Sequence, residues 1–228
     1  MTRIAVVSDV HADVDALQDA LAQAERLGCD IVLCAGDLVD SGRYPERTVV
    51  LLRARAIPCI RGNHDRWALK AEADDDPDLA LSASVLAFLR TLPPTWAKTI
   101  DGVRVVMWHA RPGSDMNGIE PQLVTGAELG RLLDKAEADV LVVGHTHRAW
   151  RLEISGGRCV VNPGALLRNP KETVDDVALV LDPATWKFEP GPPPTRGTFG
   201  VLELPSRVFT VHRAADGAEV EIVRTVKW

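Results

Sequence analysis

Through residue 147, apolar runs of strand length repeatedly end on polar clusters. Five segments share this grammar: Val6-Val7-Ser8-Asp9-Val10-His11; Ile31-Val32-Leu33-Cys34-Ala35-Gly36-Asp37-Leu38-Val39-Asp40; Ile60-Arg61-Gly62-Asn63-His64-Asp65; Val106-Met107-Trp108-His109; and Val142-Val143-Gly144-His145-Thr146-His147. A buried strand that breaks into a loop sets the next polar side chains at its carboxyl end. Between the runs the apolar period lengthens. Val14, Leu17, Leu21 and Ala24 form one stripe behind an Asp13 N-cap, which predicts a helix ending near Gly28. Pro45 suits the first position of a second helix through about Arg55. Ile57 to Arg61 reads as a third strand, after those at 3–10 and 31–36.

This βαβαβ rhythm predicts a sheet with parallel neighbours and right-handed crossovers. Sites in such sheets gather beyond the carboxyl ends of the strands, which puts Asp9, His11, Asp37, Asn63 and His64 on one rim. Residues 66–92 read as mainly helical with a break at Asp74-Asp75-Asp76-Pro77, a helical cap over the site. A strand at 103–108 leads to His109, and Arg111-Pro112-Gly113-Ser114-Asp115 signals a loop. Thr125-Gly126-Ala127-Glu128 fits a capping box before a helix carrying Leu129, Leu132, Leu133 and Ala136. The remainder reads as β-rich and antiparallel, with strands near 159–161, 178–181, 199–204, 208–212 and 220–226. Pro190-Gly191-Pro192-Pro193-Pro194 reads as a surface loop, because proline cannot donate to a ladder. One domain spanning 1–228 is expected, with 165–198 as an insertion.

Charge narrows the partners. A net charge of -6 argues against an extended nucleic-acid footprint, which needs clustered Lys and Arg, so an anionic ligand must be attracted locally. The longest apolar runs are strand-sized, and Asp9, His11 and Asp13 interrupt the N-terminal one; no membrane span or signal core is expected, and a cytoplasmic location is the default. Cys29, Cys34, Cys59 and Cys159 lack C-x-x-C spacing and read as small core residues in a reducing compartment.

The chain has six histidines, and all but His212 fall in the five polar clusters. A single histidine after a strand is more often structural than a ligand. Five beside Asp9, Asp37 and Asn63 point instead to a metal centre. Mixed imidazole and carboxylate ligands suit Mn, Fe, Co, Ni or Zn better than Mg or Ca. Asp9, His11, Asp37, Asn63, His109, His145 and His147 exceed what one metal needs, whereas two metals roughly 3.5–4 Å apart sharing a carboxylate would use them all.

Asp9-x-His11, Gly36-Asp37-x-x-Asp40, Gly62-Asn63-His64-Asp65, His109 and Gly144-His145-x-His147 together resemble the five ordered motifs of the calcineurin-like metallophosphoesterase superfamily, in its short bacterial and archaeal phosphodiesterase branch. Asn162-Pro163-Gly164 resembles a turn common there, and the resemblance spans roughly residues 1–165 and resumes from Phe199. It implies an α/β fold, a four-layer α/β/β/α sandwich of two mixed β-sheets flanked by helices. It also implies two divalent first-row metals, manganese first, with iron, nickel, cobalt or zinc as alternatives. Asp9, His11 and His147 would hold one, Asn63, His109 and His145 the other, and Asp37 both. A metal-bridging hydroxide would attack phosphorus in line, His64 would protonate the leaving oxygen, and Asp40 would orient His64.

The implied partner is a small-molecule phosphate ester, most simply a small or nucleotide-like diester, and a homo-oligomer is compatible with this reading. A phosphomonoesterase or dinucleoside-polyphosphate hydrolase is the alternative enzyme, and a binding scaffold like the retromer subunit of this fold the non-catalytic one. Where the protein phosphatases of the superfamily carry Asp-Arg-Gly, this chain has Asp40-Ser41-Gly42-Arg43, so their phosphate-clamping arginine is missing from its usual place. Arg43 or Arg111 is the expected substitute, with Arg111 and Asn63 assigned to substrate. Trp108 is expected to pack in the core, and Trp67 and Tyr44 to pack or to stack on a substrate ring.

Overall fold

The computed structural model describes residues 1–73, 81–168, 179–182, 187–190 and 195–227. Strand β1 (Thr2–Val7) leads through helix α1 (Val14–Arg26) to β2 (Ile31–Cys34), and the two strands pair parallel from Ile4↔Ile31 to Val7↔Cys34. Asp13 caps α1 by accepting the Ala16 N–H at 3.0 Å. Pro45 opens α2 (Pro45–Ala54), followed by α3 (Asn63–Ala73) and α4 (Ala83–Thr91). An antiparallel pair, β3 (Thr95–Ile100) and β4 (Val103–Trp108), precedes α5 (Gly126–Ala136). The capping box of α5 is complete: the Glu128 N–H donates to Thr125 Oγ1 at 3.2 Å and the Thr125 N–H to Glu128 at 2.9 Å. Then come β5 (Val140–Val142), β6 (Ala149–Ile154), β7 (Cys159–Pro163), the pair β8 (Leu179–Asp182) and β9 (Lys187–Pro190), β10 (Thr198–Leu204), β11 (Val208–Arg213), β12 (Glu219–Val220) and β13 (Val223–Lys227).

Two mixed sheets result, ordered β12-β11-β10-β1-β2 and β13-β6-β7-β5-β4-β3. The period-2 alternation of their strands separates three apolar layers. Ile4, Val6 and Leu33 of the first sheet face Val105, Met107, Val142 and Val161 of the second, forming the core between sheets. The alternate residues Ala5, Val7 and Cys34 face outward and bury Leu17, Leu21, Leu52 and Leu89 of α1, α2 and α4. On the far side Val106, Leu141, Trp150 and Leu152 bury Leu129 and Leu133 of α5. The fold is the four-layer α/β/β/α sandwich. Among the described helices none is long and apolar enough to cross a membrane.

Several expected elements differ. Residues 57–61 make one parallel bridge, Cys34↔Cys59, and no strand. Pro58 has no N–H to extend a ladder, and the Arg61 N–H turns away to Pro93 O at 2.8 Å. The run 220–226 splits into β12 and β13 in different sheets, and β13 lies parallel to β6, so the last third is not wholly antiparallel. β3, β6 and β9 had no sequence counterpart: β3 carries Lys98, and β6 interleaves Arg151 and Glu153 with its apolar residues, so neither shows a continuous apolar run. α3 begins at Asn63 instead of 66, which puts the third motif on its first turn. Pro190, expected in the surface loop, is instead the last residue of β9, opposite Leu179, and the acidic break at 74–77 and the prolines at 192–194 lie outside the described residues.

Leu89 is fully buried in the core shared by α1, α2 and α4. Leu89→Ala is expected to cost about 2–5 kcal/mol in urea unfolding. A loss below about 1 kcal/mol would show that α4 merely covers the molecule without joining its core.

Candidate metal centre

Every motif sits where a strand stops or a helix starts: Asp9 and His11 after β1, Asp37 and Asp40 after β2, His109 after β4, His145 and His147 after β5, and Asn63 and His64 on the first turn of α3. The backbone there is strained. Asp9, His11, Asp37, Asp40, His145 and His147 have φ of 52°, 47°, 54°, 74°, 66° and 53°. Each left-handed non-glycine residue costs about 1–3 kcal/mol and persists only where its surroundings over-determine it. Two glycines allow the loops to close together. A Cβ on Gly62 would collide with the Asp37 carboxylate, and one on Gly144 with Ser8 Oγ.

Asp65 is the determinant that sequence reasoning passed over. Its buried carboxylate accepts four backbone N–H groups: Asp37 at 3.0 Å, Leu38 at 2.9 Å, Val39 at 3.3 Å and Gly62 at 2.9 Å. One side chain thus ties the loop that carries Asp37 and Asp40 to the start of α3. Burial and the neighbouring Asp37 push its pKa up to about 6, while the N–H groups of Gly62 and Leu38 oppose them. The available signal was an acidic residue at the third position of a helix, where it meets N-terminal N–H groups, but placing the helix start at 66 hid it.

The candidate ligand atoms fall into two groups. In the first, His11 Nε2 lies 3.2 Å from His147 Nε2, and Asp9 Oδ1 lies 3.4 Å from His147 Nε2. In the second, Asn63 Oδ1 is 3.0 Å from both His109 Nε2 and His145 Nδ1. Asp37 Oδ2 stands between them, 3.1 Å from His109 Nε2 and 3.8 Å from His11 Nε2. Two nitrogens bound tetrahedrally at 2.0–2.1 Å would be about 3.3 Å apart, so these spacings suit metal coordination. Asp9, His11 and His147, and likewise Asp37, His109 and His145, each offer atoms within 4.8 Å of one another. A third such set joins His11 and Asp37 to His64, whose Nδ1 is bonded to Asp40 Oδ2 at 2.6 Å, leaving its Nε2 to face the centre.

Tautomers and charges agree with a metal site. His109 Nδ1 lies 2.8 Å from the Ala35 carbonyl, which can only accept, so Nδ1 carries the proton and Nε2 faces the ligand group. Burial drives His11 down to about 4 and lowers His145, leaving both with free lone pairs. Burial alone would also raise Asp9, yet His147 and His109 hold it at about 2. Asp37 is lowered in the same way: against its burial stand His109, His11 and His64. His109 is the counterpart, raised to about 10 because Asp37 and Asp9 outweigh its burial. The donor types fit divalent cations, with two buried carboxylates, several imidazoles and an amide oxygen converging.

His64 is pushed down by burial but raised overall by Asp40, Asp37 and Asp9. Its ring lies edge-on to His11 at 4.7 Å and to the half-exposed Trp67 at 4.6 Å. Tyr44 is exposed under Arg47. Trp108 packs partly against the α5 core. Arg111 does not join the centre: Nε donates to Asn117 O at 2.9 Å and Nη2 to Gly118 O at 2.6 Å, so its guanidinium staples its own loop. Asn162 holds the His145 loop by donating to Gly144 O at 2.8 Å and accepting the Gly164 N–H at 2.9 Å.

The fold and the candidate ligand groups are those of the metallophosphoesterase class. Residues 2–183 match the calcineurin-like phosphoesterase superfamily domain, and the chain belongs to that superfamily. The uncharacterized protein MJ0912 of Methanocaldococcus jannaschii is 31% identical over 120 residues, which are 48% of this chain and 49% of that protein, so the chain spans about half the length of the curated relative it matches. A metallophosphoesterase from Sphaerobacter thermophilus superposes with a TM-score of 0.64 at 23% identity, covering 97% of this chain and 89% of its own. The hypothetical protein PH1004 of Pyrococcus horikoshii gives 0.68 at 16% identity, with 93% and 88% covered. At these identities the two structures establish the shared fold.

Asp65→Ala would orphan four N–H groups in a dry interior. It is expected to cost at least about 3 kcal/mol and to lower metal content per folded molecule, measured by urea unfolding and elemental analysis. Full stability with intact metal content would remove Asp65 from its organising role.

Proposed function

We propose that the chain is a binuclear metal-dependent phosphodiesterase acting on small or nucleotide-like phosphate esters. The observation that carries this reading is Asp37 Oδ2, which stands between a His11-centred and a His109-centred ligand group at 3.8 and 3.1 Å. On this reading Asp9, His11 and His147 hold one cation, Asn63, His109 and His145 the other, and Asp37 both. Manganese is the first choice for such a ligand set, with iron, nickel, cobalt or zinc also suited to it. Divalent cations there supply charge that acidifies water and neutralises phosphoryl oxygens.

The chain's own residues supply the rest. Asp40, held below the usual carboxylate range chiefly by its bond to His64, accepts the Nδ1–H at 2.6 Å and turns Nε2 toward the centre. His64 keeps its proton more readily than an ordinary imidazole, as a donor to a departing alkoxide needs. The strained loops fix these groups before substrate arrives, so little reorganisation remains. A diester presents one negative charge at the reacting phosphorus. Arg111, the arginine expected to bind substrate, is engaged on loop carbonyls and adds no charge at the reacting phosphorus.

His64→Ala is expected to retain bound metal while turnover falls by roughly 10²–10⁴-fold on diesters with poor leaving groups and far less on bis-p-nitrophenyl phosphate. Equal losses across leaving groups would remove the acid role, and faster hydrolysis of p-nitrophenyl phosphate than of its diester would favour a phosphomonoesterase. Asp37→Asn removes a charge and one carboxylate oxygen from the shared position. Elemental analysis should show both metals depleted; loss of one alone would mean that Asp37 serves a single ion.

A further inference from the structure

Between α3 and the loop after β4 lies a cleft of about 280 Å³ lined by Arg61, Arg66, Trp108, His109, Ser114 and Asp115. This is at the small end of the roughly 300–1,000 Å³ typical of small-molecule sites. His109 forms both a wall of the cleft and part of the second ligand group. Arg66 follows Asn63 by three residues on α3 and therefore shares its helical face. Asp115 grips the guanidinium in a fork, from Nε at 2.6 Å and from Nη2 at 3.0 Å. An arginine has five N–H donors, so both Nη1 hydrogens and one on Nη2 are left for a ligand in a plane that the fork has already fixed. Arg66 remains 40% exposed and Asp115 28%, so the pair is reachable from solvent. Arg61 lines the same cleft, its backbone N–H is spent on Pro93 O, and its side chain makes no ion pair among the described residues. Two arginines and one carboxylate line the cleft, leaving it net positive in a chain whose net charge is -6.

We infer that this cleft is a subsite for a second anionic group on the substrate, a phosphate or carboxylate carried on the arm of the ester that is not expelled. The assignment of the arm rests on the phosphodiesterase reading above. His64, the donor to the departing oxygen, stands beside His11, whereas the cleft opens beside His109. An ester held at the centre therefore sends its leaving group toward His64 and Trp67 and its retained group toward Arg61 and Arg66. The guanidiniums bind the second anion through charge-assisted hydrogen bonds, with Arg66 pre-aligned by Asp115.

The test uses manganese-loaded enzyme and two diesters with the same p-nitrophenolate leaving group: bis-p-nitrophenyl phosphate and 4-carboxyphenyl 4-nitrophenyl phosphate. The ratio of kcat/KM for the carboxylated over the plain diester is expected to fall by about tenfold in Arg61→Ala and again in Arg66→Ala, mainly through KM. Arg61→Ala leaves the Arg66–Asp115 fork intact and serves if Arg66→Ala perturbs folding. If both diesters are hydrolysed but the ratio is unchanged in both variants, the subsite is overturned while the phosphodiesterase reading stands. If wild type hydrolyses neither diester, that reading fails, and the cleft is judged by calorimetric titration of the metal-free protein with inorganic pyrophosphate. Binding weakened about tenfold in either variant supports the subsite, and equal binding in all three proteins overturns it.

Discussion

One buried carboxylate determines whether this centre can exist. The loop after β2 and the start of α3 approach so closely that neither Asp37 nor Gly62 can pair its N–H within a ladder. Asp65 accepts both of these groups, together with Leu38 and Val39. Without it, four donors would be stranded in a dry interior, each costing about 1–3 kcal/mol. The same clamp sets the distance between Asp37 and Asn63, on which the second ligand group depends, and the His64 N–H closes the arrangement by donating to Asp37 Oδ1 at 2.9 Å. Folding and ligand placement are here one problem: what satisfies the backbone also sets the ligands.

The two sheets explain why the ligands converge at all. Strands β1, β2, β4 and β5 run in register-matched parallel pairs, β1 with β2 and β4 with β5, and the sheets face each other across one apolar layer. Their carboxyl ends therefore open on a common edge. The exits of β1, β2 and β5 turn there through left-handed residues. Strain at six such residues is held by backbone bonds across loops, such as His11 N–H to Asp37 O at 2.9 Å and Asp9 N–H to Gly36 O at 3.0 Å.

What the sequence made legible was whatever is local. Each motif joins a strand-length apolar run to the polar residues that follow, so strand ends and candidate ligands could be read together from ten residues or fewer. The Asp13 cap, Pro45 and the Thr125/Glu128 box were readable for the same reason. Long-range partners were not. Arg66 meets Asp115 across 49 positions, and nothing near either residue announces the other. Arg111 sits beside a motif and looked free for substrate, but the fold brings the Asn117 and Gly118 carbonyls to it. Pro58 stands within an apolar run of strand length, and its missing donor shrinks that strand to a bridge. β13 leaves one sheet for the other because sheet membership depends on which edge remains open, not on apolar period.

Electrostatics gives the clearest account of why this arrangement calls for cations. Asp9 and Asp37 are both fully buried, and two unpaired carboxylates in such a place would be untenable. The chain's own remedy is its histidines: His109, raised to about 10, lies 3.1 Å from Asp37 and 3.9 Å from Asp9, and His147 lies 3.4 Å from Asp9. His11 and His145, driven toward neutrality by burial, add lone pairs instead of charge. Two buried carboxylates among several imidazoles form an arrangement suited to hold a cation. A cation held there would take the place of any proton on His109 Nε2, while the Ala35 carbonyl keeps Nδ1 protonated and the ring in place. The backbone that positions His109 thus selects the nitrogen that is free to coordinate.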